Sequence, residues 1–214
     1  MQIDITRSED VSHLIEDAKN IGIIACREAG LDPFCAAAAL YYMLKTKGKA
    51  VSFVFPGELP DSVKELITPD NVISDLKSRN LIVSVDYSGT KADKVKYNTE
   101  NSMLTFRLGP VSSDFDVESR VSAKVASFDF DLTFVIGAAT LEDLGETYTA
   151  ISTELHASKI VNIDNSKRNT RFGIVNIIDL EIDTISLLIF QKAVDWRLHP
   201  NKDAAKALLK GMSA

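Results

Sequence analysis

The sequence has little of what disulfide scaffolds, metal centres and membrane spans are made from. Its 214 residues include only two cysteines, Cys26 and Cys35, and three scattered histidines, His13, His156 and His199. Two cysteines are too few for a disulfide framework, so we expect a reducing compartment. No apolar run approaches the roughly 18 residues that cross a bilayer, and no basic start precedes an apolar run. These absences predict a cytoplasmic chain without a signal peptide or a membrane partner.

An excess of basic residues is also missing. Lysine and arginine total 24 against 30 aspartate and glutamate residues, which gives a formal charge of −6. Proteins that coat nucleic acid usually carry the opposite balance, so we predict no strong nucleic-acid surface. Apolar residues make up 45% of the chain and charged residues 25%, which is typical of a globular protein with a buried core.

Short apolar segments alternate with amphipathic segments along most of the chain. The predicted strands lie at 21–25, 50–55, 81–85, 132–136, 159–163 and, as an edge strand, 172–178. The predicted helices lie at 8–19, 32–47, 62–67, 141–158, 183–198 and 201–210. This order predicts an α/β fold with a doubly wound, mainly parallel sheet and helices on both faces. A polar antiparallel hairpin is predicted within 95–108, with its turn near 98–101. No repeat or long linker divides the chain, so we predict a single domain over residues 1–214.

The segments that follow the predicted strands hold the candidate functional residues, because ligands of doubly wound sheets bind beyond the carboxyl ends of the strands. Carboxylates there are suited to a divalent cation, and basic side chains are suited to phosphate. Backbone N–H groups near Gly30, before a helix, are suited to an anion. The charged candidates are Asp32, Asp86, Asp164, Lys167, Arg168 and Arg171.

Each of these residues also has a purely structural interpretation. Asp32 precedes Pro33, and an aspartate before a proline is typical of a helix N-cap. Asp86 and Asp164 each precede residues that favour turns. The basic cluster is equally consistent with a solvated loop. The residues alone leave both interpretations open.

Four segments, in order, resemble motifs of the DHH-family phosphoesterases. The first, IIACREAGLDPFCAAAALYYMLKTKGK at 23–49, looks like the first metal-binding motif with its small-residue helix. The second, FVIGAATLEDLG at 134–145, is similar to the strand that carries the second motif. The third, KIVNIDNSKRNTRFGIVNIID at 159–179, resembles the Asp-His-His segment, and DAAKALLKGM at 203–212 resembles the helix that ends the first domain. The resemblance spans nearly the whole chain and is closest to the nanoRNase and phosphoadenosine-phosphatase branch.

The resemblance implies a phosphoesterase whose metal site is degenerate. Members of the family hydrolyse phosphoesters with two cations, usually manganese, held by a dense set of aspartate and histidine ligands. In this chain only Asp32 and Asp164 keep a family carboxylate, and two carboxylates are too few to offset two cations. The resemblance also implies that the family's C-terminal substrate-binding domain is absent from this chain. The other family ligand positions fall on Cys26, Gly30, Gly137, Asn165 and Ser166.

We therefore predict a non-hydrolytic domain, with no catalytic residue and no cofactor, that binds a nucleotide or another phosphate-bearing ligand. The predicted binding residues are Gly30, Asp32, Gly137, Asp164, Asn165, Ser166, Arg168 and Asn169. An alternative is an active phosphoesterase for short oligonucleotides or nucleoside bisphosphates, with a rebuilt Mn or Mg site. Its predicted metal ligands are Asp32, Asp86, Asp164 and Cys26. A second alternative is a protein-interaction scaffold that forms a homodimer.

Overall fold

The computed structural model describes residues 8–76, 80–91, 93–126 and 128–214. The chain divides into two compact units, one formed by residues 79–126 and the other by the chain on either side of them. The strands are β1 Asn20–Ala25, β2 Ala50–Val54, β3 Val72–Ile73, β4 Asn80–Val85, β5 Lys94–Glu100, β6 Met103–Gly109, β7 Val121–Ala126, β8 Leu132–Ile136, β9 Lys159–Asp164 and β10 Val175–Ile178. The helices are α1 Ser8–Asp17, α2 Leu31–Thr46, α3 Val117–Arg120, α4 Glu146–Ala157, α5 Ile185–Asp195 and α6 Lys202–Gly211.

The first unit is built on a six-stranded parallel sheet in the order β10-β9-β8-β1-β2-β3. Strand β1 is central, and Ile23 pairs with Phe53 of β2 on one side and with Phe134 of β8 on the other. The chain first proceeds from β1 towards β3 and then resumes on the other side of β1 at β8. The strand order therefore reverses between β1 and β8, which is where such sheets bind ligands.

Both faces of this sheet are buried. Ile23 points into a large apolar core that includes side chains of α1, α2, α5 and α6, whereas its neighbour Ile24 points into a second core with Ile151 and Leu155 of α4. Successive residues of a strand face opposite sides of the sheet, so a continuous apolar run is needed where helices cover both sides. The predicted fold class, an α/β sheet with helices on both faces and an antiparallel addition, is confirmed.

Small side chains allow α2 to pack closely against its neighbours. Four consecutive alanines, 36–39, are completely buried in the apolar core. Helix α6 approaches so closely that a Cβ added at Gly211 would lie 2.8 Å from the Cβ of Cys35. The sequence predicted α2 from its N-terminal signal, but the predicted cap is wrong. Gly30 is the N-cap, α2 begins at Leu31, and the carboxylate of Asp32 bonds to a different helix.

Two other predicted helices are shorter than expected. The segment 141–158 begins with a 3-10 turn at Glu142–Leu144, and α4 follows only after Gly145, whose positive φ of 56° breaks the helical path. In place of the predicted helix at 62–67, the structure has a 3-10 turn at Asp61–Val63. Strand β3 was not predicted. The other strands and helices of this unit lie within a few residues of their predicted bounds. The predicted edge strand is confirmed as β10.

The second unit contains two separate antiparallel ribbons, β4 with β7 and β5 with β6. The prediction that 81–85 is a buried strand is wrong, because Leu81 is 69% exposed and Val83 is 45% exposed. Leu81, Ile82 and Val83 form a short apolar run, which is typical of a buried parallel strand, but β4 pairs antiparallel with β7 in a separate ribbon. Strand β7 was not predicted. The single-domain prediction stays a prediction, because the compact unit at 79–126 is compatible both with an insertion in one domain and with a second domain.

The predicted hairpin is confirmed as β5 and β6, but its turn lies slightly later than expected. Glu100 pairs with Met103, which leaves Asn101 and Ser102 as a two-residue turn. Both turn residues have positive φ, 49° and 62°. Two-residue hairpin turns need this conformation to match the twist of the strands, and asparagine tolerates it well.

Among the described residues, no helix has the length and apolar character needed to cross a bilayer.

Candidate functional site

A cleft of about 540 Å³ lies beyond the carboxyl ends of β1, β8 and β9, next to the reversal in strand order. Its volume falls in the range of small-molecule sites, roughly 300–1,000 Å³. The segments that follow these three strands supply much of its wall. The lining residues are Cys26, Glu28, Ala29, Asp32, Pro33, Gly137, Ala139, Glu142, Asp143, Gly145, Asp164, Asn165, Ser166, Arg168 and Ile185.

Gly137 lets the chain leave β8 directly beneath the start of α2. Its φ is +77°, a conformation that glycine adopts without the steric cost of a side chain. A Cβ at this position would lie 2.6 Å from the Cβ of Pro33 and 3.3 Å from the Cβ of Ala29. The position that corresponds by resemblance to a metal-binding aspartate is therefore too crowded to hold any side chain without a shift of α2.

Asp32 connects the start of α2 to the start of α5. Its carboxylate accepts hydrogen bonds from the backbone N–H of Ile185 at 2.6 Å and of Ser186 at 2.9 Å. The Ser186 hydroxyl in turn donates to the Asp32 backbone carbonyl at 3.3 Å. The first N–H groups of a helix lack partners within the helix, and a carboxylate placed there also complements the helix dipole. The Asp32 carboxylate is thus the negatively charged group that binds the N-terminus of α5.

The carboxylate of Asp143 binds a second group of backbone N–H donors. One of its carboxylate oxygens accepts the N–H groups of Ala139 and Thr140, both at 3.0 Å. These two residues belong to the loop that follows β8, so the donors a phosphate would use there are already bonded. The Cys26 thiol donates to the Asp143 carbonyl at 3.4 Å. Burial raises the pKa of this thiol, which disfavours the thiolate form that binds metals.

Asp164 ends β9 and is almost completely buried, with 3% of its surface exposed. Its two carboxylate oxygens accept from the backbone N–H of Asn165 at 2.9 Å and from the side-chain amide of Asn169 at 2.8 Å. Asn169 also donates to the Ala138 carbonyl at 3.0 Å. Its amide therefore joins the loops after β8 and β9, and its role in the structure is to position them.

Two further asparagines extend this network below the cleft. The Asn162 amide donates to the side-chain oxygens of Asn169 at 2.8 Å and of Asn176 at 3.1 Å. Asn176 exchanges hydrogen bonds with the backbone of Gly173. Asn162 is completely buried, so its amide has lost its hydrogen bonds to water. The bonds to the neighbouring asparagines compensate for that loss. The network fixes the path of the segment between β9 and β10.

The charges that line the cleft are mainly negative. Five lining residues carry carboxylates and one, Arg168, carries a guanidinium. Lys167 and Arg171, which the sequence grouped with Arg168, are exposed and are not among the lining residues. A bare phosphate would meet more repulsion than attraction here, since like charges a few ångströms apart interact strongly in a partly desolvated site. The lining carboxylates are Glu28, Asp32, Glu142, Asp143 and Asp164.

The structure brings together most, but not all, of the residues predicted from the sequence. Gly30 and Asn169 each follow a lining residue along the chain, but neither lines the cleft itself. Asp86 belongs to the second unit, where its carboxylate accepts hydrogen bonds from the backbone and hydroxyl of Ser88. Their roles in binding stay predictions, as do those of the residues that line the cleft. The predicted residues that do line it are Cys26, Asp32, Gly137, Asp164, Asn165, Ser166 and Arg168.

Sequence reasoning missed the acidic residues contributed by the loop after β8 and by the turn after β1. For Asp143 a signal was present, because Thr140 precedes it by three residues in a spacing typical of reciprocal capping. The Asp143 N–H indeed donates to the Thr140 hydroxyl at 3.3 Å. Glu28 and Glu142 carry no comparable signal, since they are exposed residues of short 3-10 turns.

The residues present do not fit a two-metal centre. Over the described parts of the chain, no three or more His, Cys, Asp and Glu side chains are grouped so as to hold a metal ion. Both oxygens of Asp32 and of Asp164 are engaged by N–H donors, and Gly137 has no room for a carboxylate. Whether the protein uses a cofactor stays a prediction.

Comparison with solved structures finds a related fold. The chain is similar to an exopolyphosphatase-related protein from Bacteroides fragilis, with a TM-score of 0.62 and 14% sequence identity. At this identity the similarity shows a shared fold. The similarity covers 99% of this chain and 51% of that protein, so the chain spans about half of its length. No family model matches the sequence, and no curated protein matches it.

Proposed function

We propose that this phosphoesterase-like domain binds a nucleotide, or a similar phosphate-bearing compound, as its complex with a divalent cation and does not hydrolyse it. The observation that carries the proposal is the charge pattern of the cleft, which is lined by five carboxylates and a single guanidinium. The cation would face the carboxylates and Arg168 would face a phosphate oxygen. Arginine is well suited to this task because its planar group donates two parallel hydrogen bonds.

A cation that arrives with the ligand agrees with the geometry better than a resident metal. Magnesium keeps several waters and is commonly held by one or two carboxylates together with substrate phosphates, without a complete protein cage. Glu28 and Glu142 are exposed at the cleft and are available for such water-mediated contacts. The carboxylates of Asp32, Asp143 and Asp164 are engaged with N–H donors, and their remaining lone pairs add negative potential.

The proposed lack of hydrolysis is supported by the same geometry. Two-metal hydrolysis needs two cations about 3.5–4 Å apart, held so that they activate water and stabilise the leaving oxygen. Gly137, Asn165 and Ser166 offer no charge to hold them. Cys26 offers a thiol whose raised pKa keeps it protonated. A ligand bound through one cation and one arginine would be held without being cleaved.

The test is calorimetric titration of the chain with ADP, in parallel with MgCl2 and with EDTA. We expect saturable binding with magnesium and at least about tenfold weaker binding without it, which corresponds to about 1.4 kcal/mol. Arg168→Ala should weaken binding of the magnesium complex. Lys167→Ala is the matched control, because it removes a neighbouring cation that does not line the cleft.

Two results would count against the proposal. A lack of saturable binding at millimolar MgADP would remove the ligand class. Release of AMP or orthophosphate that Asp164→Asn abolishes would instead favour an active, rebuilt phosphoesterase. To search for such activity, the chain is incubated with manganese and a short oligonucleotide or a nucleoside bisphosphate. Equal losses of binding in Arg168→Ala and Lys167→Ala would mean that a diffuse surface charge is responsible.

A further inference from the structure

Each strand of the β5–β6 ribbon in the second unit has an outer edge that could pair with one more strand. Each strand has seven residues, and within the described chain neither pairs with a third strand. Every residue of β5 is exposed. A two-stranded ribbon is only marginally stable in water, and an open strand edge presents unpaired N–H and C=O groups. Such an edge is a template for another strand.

The register of the ribbon separates an apolar face from a polar face. Residues directly opposite each other in an antiparallel pair lie on the same face. On one face Tyr97 pairs with Phe106, and these side chains are 74% and 59% exposed. The other face carries most of the charged and polar residues, in the pairs Lys94–Gly109, Lys96–Arg107, Asn98–Thr105 and Glu100–Met103. The pairs on the apolar face are Val95–Leu108, Tyr97–Phe106 and Thr99–Leu104.

We propose that β5 pairs antiparallel with β5 of a second copy of this chain, with the two-fold axis at Tyr97. The two-residue turn is closed by a hydrogen-bonded pair, Glu100 and Met103, and hydrogen-bonded and non-hydrogen-bonded pairs alternate from there. The N–H and C=O groups that face away from β6 therefore belong to Val95, Tyr97 and Thr99. These groups form the ladder between the copies. This inference does not depend on the cleft.

The charges along β5 are self-complementary in this register. Pairing about Tyr97 places Lys94 opposite Glu100 of the second copy, and the symmetry repeats this ion pair at the other end. Lys96 lies opposite Asn98 of the second copy, so no like charges meet. Within its own ribbon Lys94 lies opposite a glycine and Glu100 lies opposite a methionine. Neither charge therefore has an oppositely charged partner directly across the ribbon.

The outer edge of β6 lacks this complementarity. Antiparallel pairing of β6 with itself about Phe106 places Arg107 opposite Thr105, and the strand has no acidic residue. The edge of β5 is therefore the one suited to a second copy. The resulting sheet has four strands and one continuous apolar face, which passes the threshold of about three strands at which a sheet is stable by itself.

The experiment is sedimentation of the whole chain over a concentration series, compared with two charge reversals. The unmodified chain should show a concentration-dependent dimer. Lys94→Glu places two glutamates opposite each other at both ends, and Glu100→Lys does the same with two lysines. Each variant should dimerise at least about tenfold more weakly, because opposed like charges destabilise a strand pair.

Restoration separates this register from a general charge effect. An equimolar mixture of the Lys94→Glu and Glu100→Lys variants should form heterodimers, since each glutamate then faces a lysine. The double variant should also dimerise as the unmodified chain does. The fluorescence of buried Trp196 shows that the first unit of each variant is folded, and recovery of the dimer in the mixture shows that the second unit is folded too.

Three outcomes would overturn the proposal. The first is a monomer at every concentration tested. The second is a dimer that Lys94→Glu leaves unchanged, which would mean that the copies meet through another surface. The third is dissociation by both reversals without recovery in the mixture, which would mean that the two side chains do not face each other.

Discussion

Pro33 lies directly over Gly137, so that a Cβ on the glycine would come within 2.6 Å of the Cβ of the proline. This contact joins the end of β8 to the first turn of α2, and it closes one side of the cleft. It also bears on the resemblance to metal-dependent phosphoesterases. The position that would supply a carboxylate in such an enzyme is here used for close packing between a strand end and a helix.

Gly137→Ala is therefore expected to destabilise the first unit by about 3 kcal/mol, because it adds both a steric overlap and an unfavourable positive φ. The control is Gly48→Ala, where φ is +83° but no atom lies within 4 Å of an added Cβ. That variant should lose about 1 kcal/mol. Thermal unfolding is followed through Trp196, the single tryptophan, which is completely buried in the first unit. Equal losses in the two variants would contradict the overlap.

Gly137→Asp gives a second test of the same contact. If a carboxylate at this position were compatible with the fold, the variant would be as stable as the parent and would gain affinity for manganese. We expect the variant to lose about 3 kcal/mol or more and to gain no manganese affinity. Calorimetric titration of metal, together with the Trp196 unfolding curve, measures both quantities.

Asp32 is expected to contribute to stability through α5 and not through its own helix. Asp32→Asn removes a charge from the N-terminus of α5 and leaves only one oxygen for the N–H groups of Ile185 and Ser186. The expected loss is about 2 kcal/mol. Asp203→Asn is the matched control, because Asp203 lies in the first turn of α6 but the α6 cap is provided by the Asn201 side chain. A control loss of about 0.5 kcal/mol is expected, and an equal loss at Asp32 would disprove the connection.

These cases show which parts of the structure the sequence determines locally. Helix α2 was predicted because an aspartate followed by a proline, Asp32 and Pro33, is a start signal that lies within the helix itself. The partner of Asp32 was not predicted, because Ile185 lies 153 residues away along the chain. Asp32 was predicted to cap α2, which is wrong, because its carboxylate binds the first N–H groups of α5. A local sequence pattern indicates that a carboxylate will bind helix N–H groups, but it does not identify a helix that is distant along the chain.

The second unit shows a different limit. The apolar residues of β4 resemble those of a buried parallel strand, yet Leu81 and Val83 are exposed on a two-stranded ribbon. An apolar run predicts a strand, but it does not predict whether other parts of the protein cover that strand. The acidic character of the cleft was missed for a related reason, because Glu28 and Glu142 come from separate turns that only the fold brings to one cavity.

Asn169 is expected to matter for stability more than for ligand contact. Asn169→Ala leaves an oxygen of Asp164 and the Ala138 carbonyl without their donor, so the expected loss is about 2–3 kcal/mol. Asn169→Asp should be worse, since it sets a second carboxylate against Asp164. Asn71→Ala, which removes one exposed hydrogen bond to Thr68, is the control and should lose about 0.5 kcal/mol. If Asn169→Ala were as mild as the control in Trp196 unfolding, the network would not hold the loops.

The reactivity of Cys26 distinguishes a buried thiol from a metal-binding thiolate. Burial raises the pKa of Cys26 and raises that of Cys35 to about 12, so both thiols are protonated near neutral pH. Because only the thiolate is alkylated, we expect iodoacetamide at pH 8 to modify Cys26 at least about tenfold more slowly in the native chain than in urea. The native rate should keep rising above the ordinary thiol pKa of 9.0. Mass spectrometry with the Cys35→Ala variant isolates Cys26. Rapid alkylation at pH 7 would instead indicate a stabilised thiolate and would support Cys26 as a metal ligand.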